Sequence, residues 1–234
     1  MTCVPRIVCY GASGMSAASA RNVAHGGPRP LCEVVAYIDD TRGGQGLRFE
    51  NAPVISFEEW EASWRDFPCM VAVGDPRDRR RLVERLSAKG GHFPRLYDAP
   101  DVAISGVAIG AGTGIAVSAY LNPPNITIGD HVQILPMCSI GHDVRIEDFV
   151  TICPGCVVSG YVTIETGVFL GAGSTVVNGT ARKPLVIGAA AKVSAGSVVT
   201  KSVPAGTTVA GNPARNLREL ARAHKIARVA ASDR

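Results

Sequence analysis

Residues 128–152 read IGDHVQILPMCSIGHDVRIEDFVTI, with Ile128, Ile134, Ile140, Ile146 and Ile152 six apart. The register runs on through Val158, Ile164, Leu170 and Val176. Upstream, Ile109, Ile115 and Leu121 keep it, with one extra residue before Ile128. Downstream, Ile187, Val193 and Val199 resume it after an eleven-residue step, which predicts a short loop bulging out around Gly179 to Pro184. A period of six matches neither an α-helix nor a half-buried strand, whose side chains repeat at 3.6 and 2. It marks a parallel β-helix, in which each hexapeptide supplies one short strand and one corner, and three sides close a coil with the aliphatics stacked inside. Residues 103–210 are long enough for six coils. Gly110, Gly129, Gly141, Gly171 and Gly188 follow inward aliphatics and relieve crowding at the corners.

The preceding hundred residues alternate strand and helix signals. Arg6 to Tyr10 reads as a buried strand ending in the loop Gly11 to Ser16, and Ala17 to His25 suits a helix. Glu33 to Ile38 is a second strand, closed by Asp39-Asp40 and a Gly-rich loop, Thr41 to Gly46. Ser56 and Glu59 form a capping box. Cys69 to Val73 is a third strand, ending at Gly74. Asp75 caps a helix with Pro76 at its first position, running to Lys89 and stopped by Gly90-Gly91. His92 to Tyr97 is a candidate fourth strand. Such alternation implies a parallel, Rossmann-like α/β sheet. Asn216 to Val229 reads as a basic amphipathic helix that caps the exposed edge of the last coil. The expected organisation is therefore 1–100, a Rossmann-like domain; 101–215, a β-helix; and 216–234, a C-terminal helix and tail.

Composition excludes several classes. The 234 residues are 46% apolar but only 6% aromatic, with 26 glycines and 19% charged side chains. That describes an aliphatic core and disfavours both disorder and a helical bundle. The net charge of +4 lies in the C-terminal tail, not in a basic stripe, so no nucleic-acid partner is expected. The longest uncharged run, Val102 to Gly129, is broken by prolines and glycines and is no membrane span. No secretory signal is evident, which makes the cytoplasm the default location. Seven cysteines are an odd number in a chain of this size, so a disulfide framework is not expected. Cys153 and Cys156 have CxxC spacing but fall inside the repeat, where two small semi-buried residues are the simpler reading.

Two places suggest chemistry. In the loop GASGMS, Ser13 and Ser16 stand where a dinucleotide fingerprint has its second and third glycines. A dinucleotide is disfavoured, but another nucleotide could meet Asp39 and Asp40 at the end of the second strand; the alternative is simple turn chemistry. In the coils, Gly141-His142-Asp143 sets an imidazole beside a carboxylate, two residues after an inward aliphatic. A neighbouring carboxylate fixes the tautomer and raises the basicity that a general base needs. Gly160 is eighteen residues on, one coil above, with a backbone N–H open to an oxyanion. A lone surface histidine with an incidental neighbour is the competing reading. Only His131 and His142 lie in the coil region, so no metal site is expected.

YGASG at 10–14, Ile38-Asp39-Asp40, VAVGDPRDRRRLVERL at 71–86, Gly141-His142-Asp143, Ser159-Gly160, Gly171-Ala172-Gly173 and AGNPAR at 210–215 together resemble a family. It is that of the bacterial sugar O- and N-acyltransferases of the sialic-acid O-acetyltransferase type, which includes enzymes acting on UDP-4-amino sugars and GDP-perosamine. The resemblance implies a left-handed β-helix, a homotrimer, acetyl-CoA in the groove between neighbouring helices, and a nucleotide-linked sugar held by the N-terminal domain for surface-polysaccharide biosynthesis. It makes His142 the general base and Asp143 its orienting carboxylate. Gly160 N–H would bind the thioester oxygen, and Ala172 would contact the CoA arm. Thr151 stands where some relatives have a histidine near the thioester. Ser13, Gly14 and Met15 would line the sugar-nucleotide site with Asp39, Asp40 and Gly74. Whether the acceptor is an amine or a hydroxyl stays open at this stage. So do an NAD(P)-dependent oxidoreductase domain on a structural β-helix and a non-catalytic trimeric scaffold.

Overall fold

The computed structural model describes residues 5–12, 32–97, 106–116 and 118–222. Strand β1 (Arg6–Tyr10) is buried on both faces: Ile7 and Cys9 enter one core, Val8 and Tyr10 another. That is why its sequence is a continuous apolar run and does not alternate. It pairs in parallel with β2 (Glu33–Ile38) and β5 (Cys69–Val71). The sheet order is β3-β4-β2-β1-β5, and only β3 (Arg48–Phe49) runs antiparallel, to β4 (Ala52–Ile55). The β3–β4 hairpin went unread in the sequence. Its turn residues Glu50 and Asn51 both have positive φ, 47° and 65°, yet lack the glycine that usually announces such a turn. Helix α1 (Phe57–Ser63) starts with the expected capping box, and α2 (Pro76–Ser87) with the Asp75 cap. They bury Phe57, Trp60, Leu82, Val83 and Leu86 against the sheet. The helix expected over 17–25 lies outside the described residues.

Residues 92–97 do not form a fourth strand of this sheet. Strand β6 (Leu96–Tyr97) pairs with a coil strand, Leu96 opposite Gly114. The stretch keeps one bond to β5, from Cys69 N–H to the His92 carbonyl.

The coils stack as three parallel faces. The first carries β7 (Val107–Ile109), β10 (Ile126–Ile128), β13 (Arg145–Ile146), β16 (Val162–Ile164) and β19 (Leu185–Ile187). On the second lie β8 (Gly114–Ile115), β11 (Gln133–Ile134), β14 (Thr151–Ile152), β17 (Phe169–Leu170) and β20 (Lys192–Val193). The third is β9 (Tyr120–Leu121), β12 (Ser139–Ile140), β15 (Val157–Val158), β18 (Thr175–Val176) and β21 (Val198–Val199). Like residues stack: Ile128 on Ile146 on Ile164, and Ile140 on Val158 on Val176. A second inward row, two residues ahead of the first, is equally buried: Ile126, Val132, Cys138, Val144, Val150, Cys156, Val162 and Val168. Cys138 and Cys156 are therefore core residues, and the described cysteines are free.

The third residue after most of these aliphatics turns the corner with positive φ, among them His131 (54°), Asp143 (54°), Phe149 (58°) and Tyr161 (57°); after Leu121 it is the fourth, Asn125 (59°). The loop at 179–184 does bulge out, closed by a Thr180–Lys183 bridge. Five coils are complete. A sixth keeps only two sides, through the Val203–Ile187 bridge and β22 (Thr208–Ala210), before the chain reverses into β23 (Arg215–Asn216), antiparallel to β22. Residues 217–222 are helical, and the rest of the expected terminal helix lies outside the described residues. Among the described residues no helix is long and apolar enough to cross a membrane.

Candidate active site

His142 and Asp143 stand at the corner between the third and first faces. The positive φ of Asp143 swings its carboxylate back beside the preceding side chain. His142 Nδ1 lies 2.7 Å from Asp143 Oδ2. An ionised carboxylate only accepts, so in the neutral imidazole Nδ1 carries the proton and Nε2 holds the lone pair. The Asn125 amide, 2.9 Å from Oδ1, and the imidazole hold the Asp143 carboxyl below the usual carboxylate range. The His142 side chain is 43% exposed and reachable from solvent. Tyr161 sets its ring edge-on to the imidazole, with centroids 5.2 Å apart.

Gly160, one coil on, lies against the ring. A Cβ there would sit 2.7 Å from His142 Cε1 and 2.8 Å from Nε2, so only glycine leaves the imidazole its place. The Gly160 carbonyl accepts from Gly179 N–H at 3.0 Å, whereas its own N–H donates to no acceptor among the described residues. An imidazole and a backbone donor without an acceptor among the described residues thus share one corner.

Three comparisons bear on this corner. Residues 125–160 match the family described as bacterial transferase hexapeptide (six repeats). A 148-residue stretch, 63% of this chain, is 36% identical to the GDP-perosamine N-acetyltransferase of Escherichia coli O157:H7; it spans 66% of that protein, just under two thirds. The solved structure of WeeI from Acinetobacter baumannii AYE superposes with a TM-score of 0.80 at 33% identity, over 91% of this chain and 100% of that one. The chain belongs to the bacterial hexapeptide transferases. The acetyltransferase domain of PglB from Neisseria gonorrhoeae FA1090, solved with acetyl coenzyme A, is similar as well, with a TM-score of 0.75 at 28% identity over 91% and 98% of the two chains.

Within this hexapeptide transferase the other expected residues scatter. Ala172 is exposed on the corner between the second and third faces, across the third face from His142. Thr151 corrects an expectation. It is fully buried where the N-terminal domain meets the second face, its hydroxyl donating to the Gly74 carbonyl at 2.7 Å and accepting from Arg79 at 2.9 Å. A side chain so enclosed and so engaged cannot touch a co-substrate in this chain. Gly74 is committed to the same junction. Asp39 and Asp40 do meet at the carboxyl end of β2, but both are engaged. Asp39 caps its own loop through Thr41 and Arg42; burial alone would raise its carboxyl, and these bonds outweigh that and lower it. Asp40 accepts from Tyr10 OH at 2.6 Å and from Arg85 at 2.9 Å, and Arg85 also lies over the Phe57 ring. Ser13, Gly14 and Met15 lie outside the described residues. Among the described residues, no group of three or more His, Cys, Asp or Glu is placed to hold a metal.

The sequence reading missed Arg79. Only 1% exposed, it sends its guanidinium from α2 into the coil corner, donating to the carbonyls of His131 (2.9 Å), Phe149 (2.8 Å) and Val150 (3.1 Å), and on its own side to that of Val73 (2.7 Å). Burial pushes it down to about 10, still protonated at neutral pH. His131 fills the same junction, stacked on Phe149 and edge-on to Phe93. Five arginines crowd residues 77–85. Only Arg79 among them falls on the buried helix stripe of Pro76, Leu82, Val83 and Leu86, a periodic signal that the run of like charges masks.

Proposed function

We propose that this protein transfers an acetyl group from acetyl-CoA to an amino group on a nucleotide-linked sugar, by direct attack with His142 as general base. The observation that carries the reading is the His142–Asp143 pair against Gly160, whose N–H is unpaired among the described residues. The neutral amine attacks the thioester carbonyl carbon while Nε2 takes its proton. Gly160 N–H stabilises the oxyanion. As the tetrahedral intermediate collapses, the C–S bond breaks and the imidazolium returns the proton to the leaving thiolate. No Ser or Cys nucleophile enters. The related GDP-perosamine N-acetyltransferase supports an amine acceptor over a hydroxyl, and the acetyl-CoA complex of the PglB domain supports the donor.

We read the N-terminal sheet as a Rossmann-like nucleotide-binding domain and the coil as left-handed. The chain leaves β1 for β2 and β4 on one side and returns as β5 on the other. The crevice at that switch point, beyond the carboxyl ends of the strands, is where open α/β sheets receive ligands. Gly11, Ala12 and Ala72 border it. A homotrimer is part of the reading. The outward residues of the third face, Tyr120, Ser139, Val157, Thr175 and Val198, carry no charge, and Tyr120 is 63% exposed. His142 lies on one edge of that face and Ala172 on the other, so only neighbouring copies could bring the two edges together around one CoA.

The test is CoA thiol release by His142→Ala with GDP- and UDP-linked amino sugars as acceptors. Turnover should fall by ~10²- to 10⁴-fold, the usual worth of a general base. The melting temperature should hold, because the side chain faces solvent. Turnover near wild type would refute the assignment.

A further inference from the structure

Asn125 Nδ2 reaches across one coil and donates to Asp143 Oδ1 at 2.9 Å, while Asp143 Oδ2 accepts from His142 Nδ1 at 2.7 Å. We propose that Asn125 is a positioning residue: it sets the carboxylate plane of Asp143 and, through it, aims the His142 imidazole. This rests on the reading above, in which His142 is the base.

The backbone argues for it first. Asn125, Asp143 and Tyr161 stack at eighteen-residue intervals on one corner, all with positive φ: 59°, 54° and 57°. Asp143 N–H donates to the Pro124 carbonyl at 2.9 Å, and Tyr161 N–H to the His142 carbonyl at 3.2 Å. The main chain of the column is pinned, so only side-chain torsions remain to be fixed. A carboxylate held by one oxygen alone still pivots about that contact. The Asn125 amide binds the other oxygen and removes that freedom. Gly160 against the ring and the Tyr161 edge beside it leave the imidazole little choice of seat.

The chemistry argues for an amide in particular. A lysine or arginine at this position would neutralise Asp143 and withdraw the charge that steadies the imidazolium during transfer. An aspartate would set two carboxylates against each other. Asparagine donates a hydrogen bond without net charge and also tolerates left-handed backbone. A corner residue chosen for backbone alone could as well be glycine, and that difference supplies the test.

Asn125→Gly deletes the amide and keeps the left-handed corner at no steric cost. Its kcat should fall roughly tenfold, the scale of one hydrogen bond to a charged group, with the KM for acetyl-CoA unchanged and the melting temperature lowered by no more than about 4 °C. In an Asp143→Ala background the same change should cost nothing further, since the two act as one unit. Asn125→Asp should move the NMR titration of the His142 ring protons to higher pH, because a second carboxylate favours the imidazolium. The same loss from Asn125→Gly with and without Asp143, or an unmoved ring titration in Asn125→Asp, would overturn the proposal. If His142→Ala abolishes transfer while Asn125→Gly does not alter it, this inference alone falls. Full transfer by His142→Ala removes the reading beneath it, and the ring titration still reports whether Asn125 acts on the pair.

Discussion

Gly160→Ala separates the work of the imidazole seat from that of the fold. The added Cβ would lie 2.7 Å from His142 Cε1, 2.8 Å from Nε2 and 3.2 Å from Nδ1. Ordinary carbon contacts are about 3.5–4.0 Å, so the ring must retreat by roughly 1 Å. The backbone need not move, since Gly160 is not among the positive-φ residues. With its side chain 43% exposed, His142 has solvent to swing into. Folding should therefore lose little. The retreat, however, strains the 2.7 Å bond to Asp143 and carries Nε2 off the acceptor. A misplacement of that size costs on the order of 10²-fold in rate. Gly141→Ala is the control: its Cβ would lie 2.8 Å from Gly160 N and from Ser159 C, backbone atoms that cannot step aside. That variant should lose thermal stability as well as activity. The assay is thiol release from acetyl-CoA with an amino-sugar nucleotide, alongside a melting curve for each variant. Wild-type kcat in Gly160→Ala would refute the idea that the glycine seats the imidazole. So would a fall in melting temperature as large as that of Gly141→Ala.

Arg79→Met removes the guanidinium from three coil carbonyls and should cost about 3 kcal/mol, which in a chain of this size lowers the melting temperature by roughly 10 °C. Lysine should not restore it, lacking the planar fork; a shift of less than about 2 °C for Arg79→Met would rule out a docking role. Val157→Asp puts a charge on the uncharged third face, and sedimentation should show the proposed trimer of the wild type giving way to smaller species; a variant that sediments as the wild type does would place any interface elsewhere. The acid limb of kcat/KM should follow a single proton. Asp143, with its folded-state carboxyl lowered by the Asn125 amide and the imidazole, stays ionised along that limb and gives up its stabilising contribution only as the pH falls through its lowered value. A two-proton slope would contradict this.

Much of the coil was legible residue by residue because a β-helix repeats one local problem. Every hexapeptide must supply an inward aliphatic and a residue that turns, and its partner lies one coil away in unchanging register. The same holds for the Ser56 and Asp75 caps, which satisfy backbone N–H groups two or three residues on. His142 and Asp143 are neighbours in the chain, so their pairing could be read directly. Gly160 could be placed above them by counting eighteen residues. Tertiary structure alone decided the rest, because those contacts are set by packing between distant segments and leave no periodic trace. Residues 96–97 joined the coil sheet because Gly114 and Ile115 offered an open edge strand there. Thr151, outward on its strand, was buried by the arrival of α2. Arg79 shares the buried helix stripe of Leu82, Val83 and Leu86, so its inward direction was periodic, but that it ends on coil carbonyls was decided by the fold, since a carbonyl carries no side-chain signature in the sequence. Asn125 was in register with Asp143 from the outset. That its amide turns toward the carboxylate depends on a left-handed corner, which the fold imposes on whatever residue stands there.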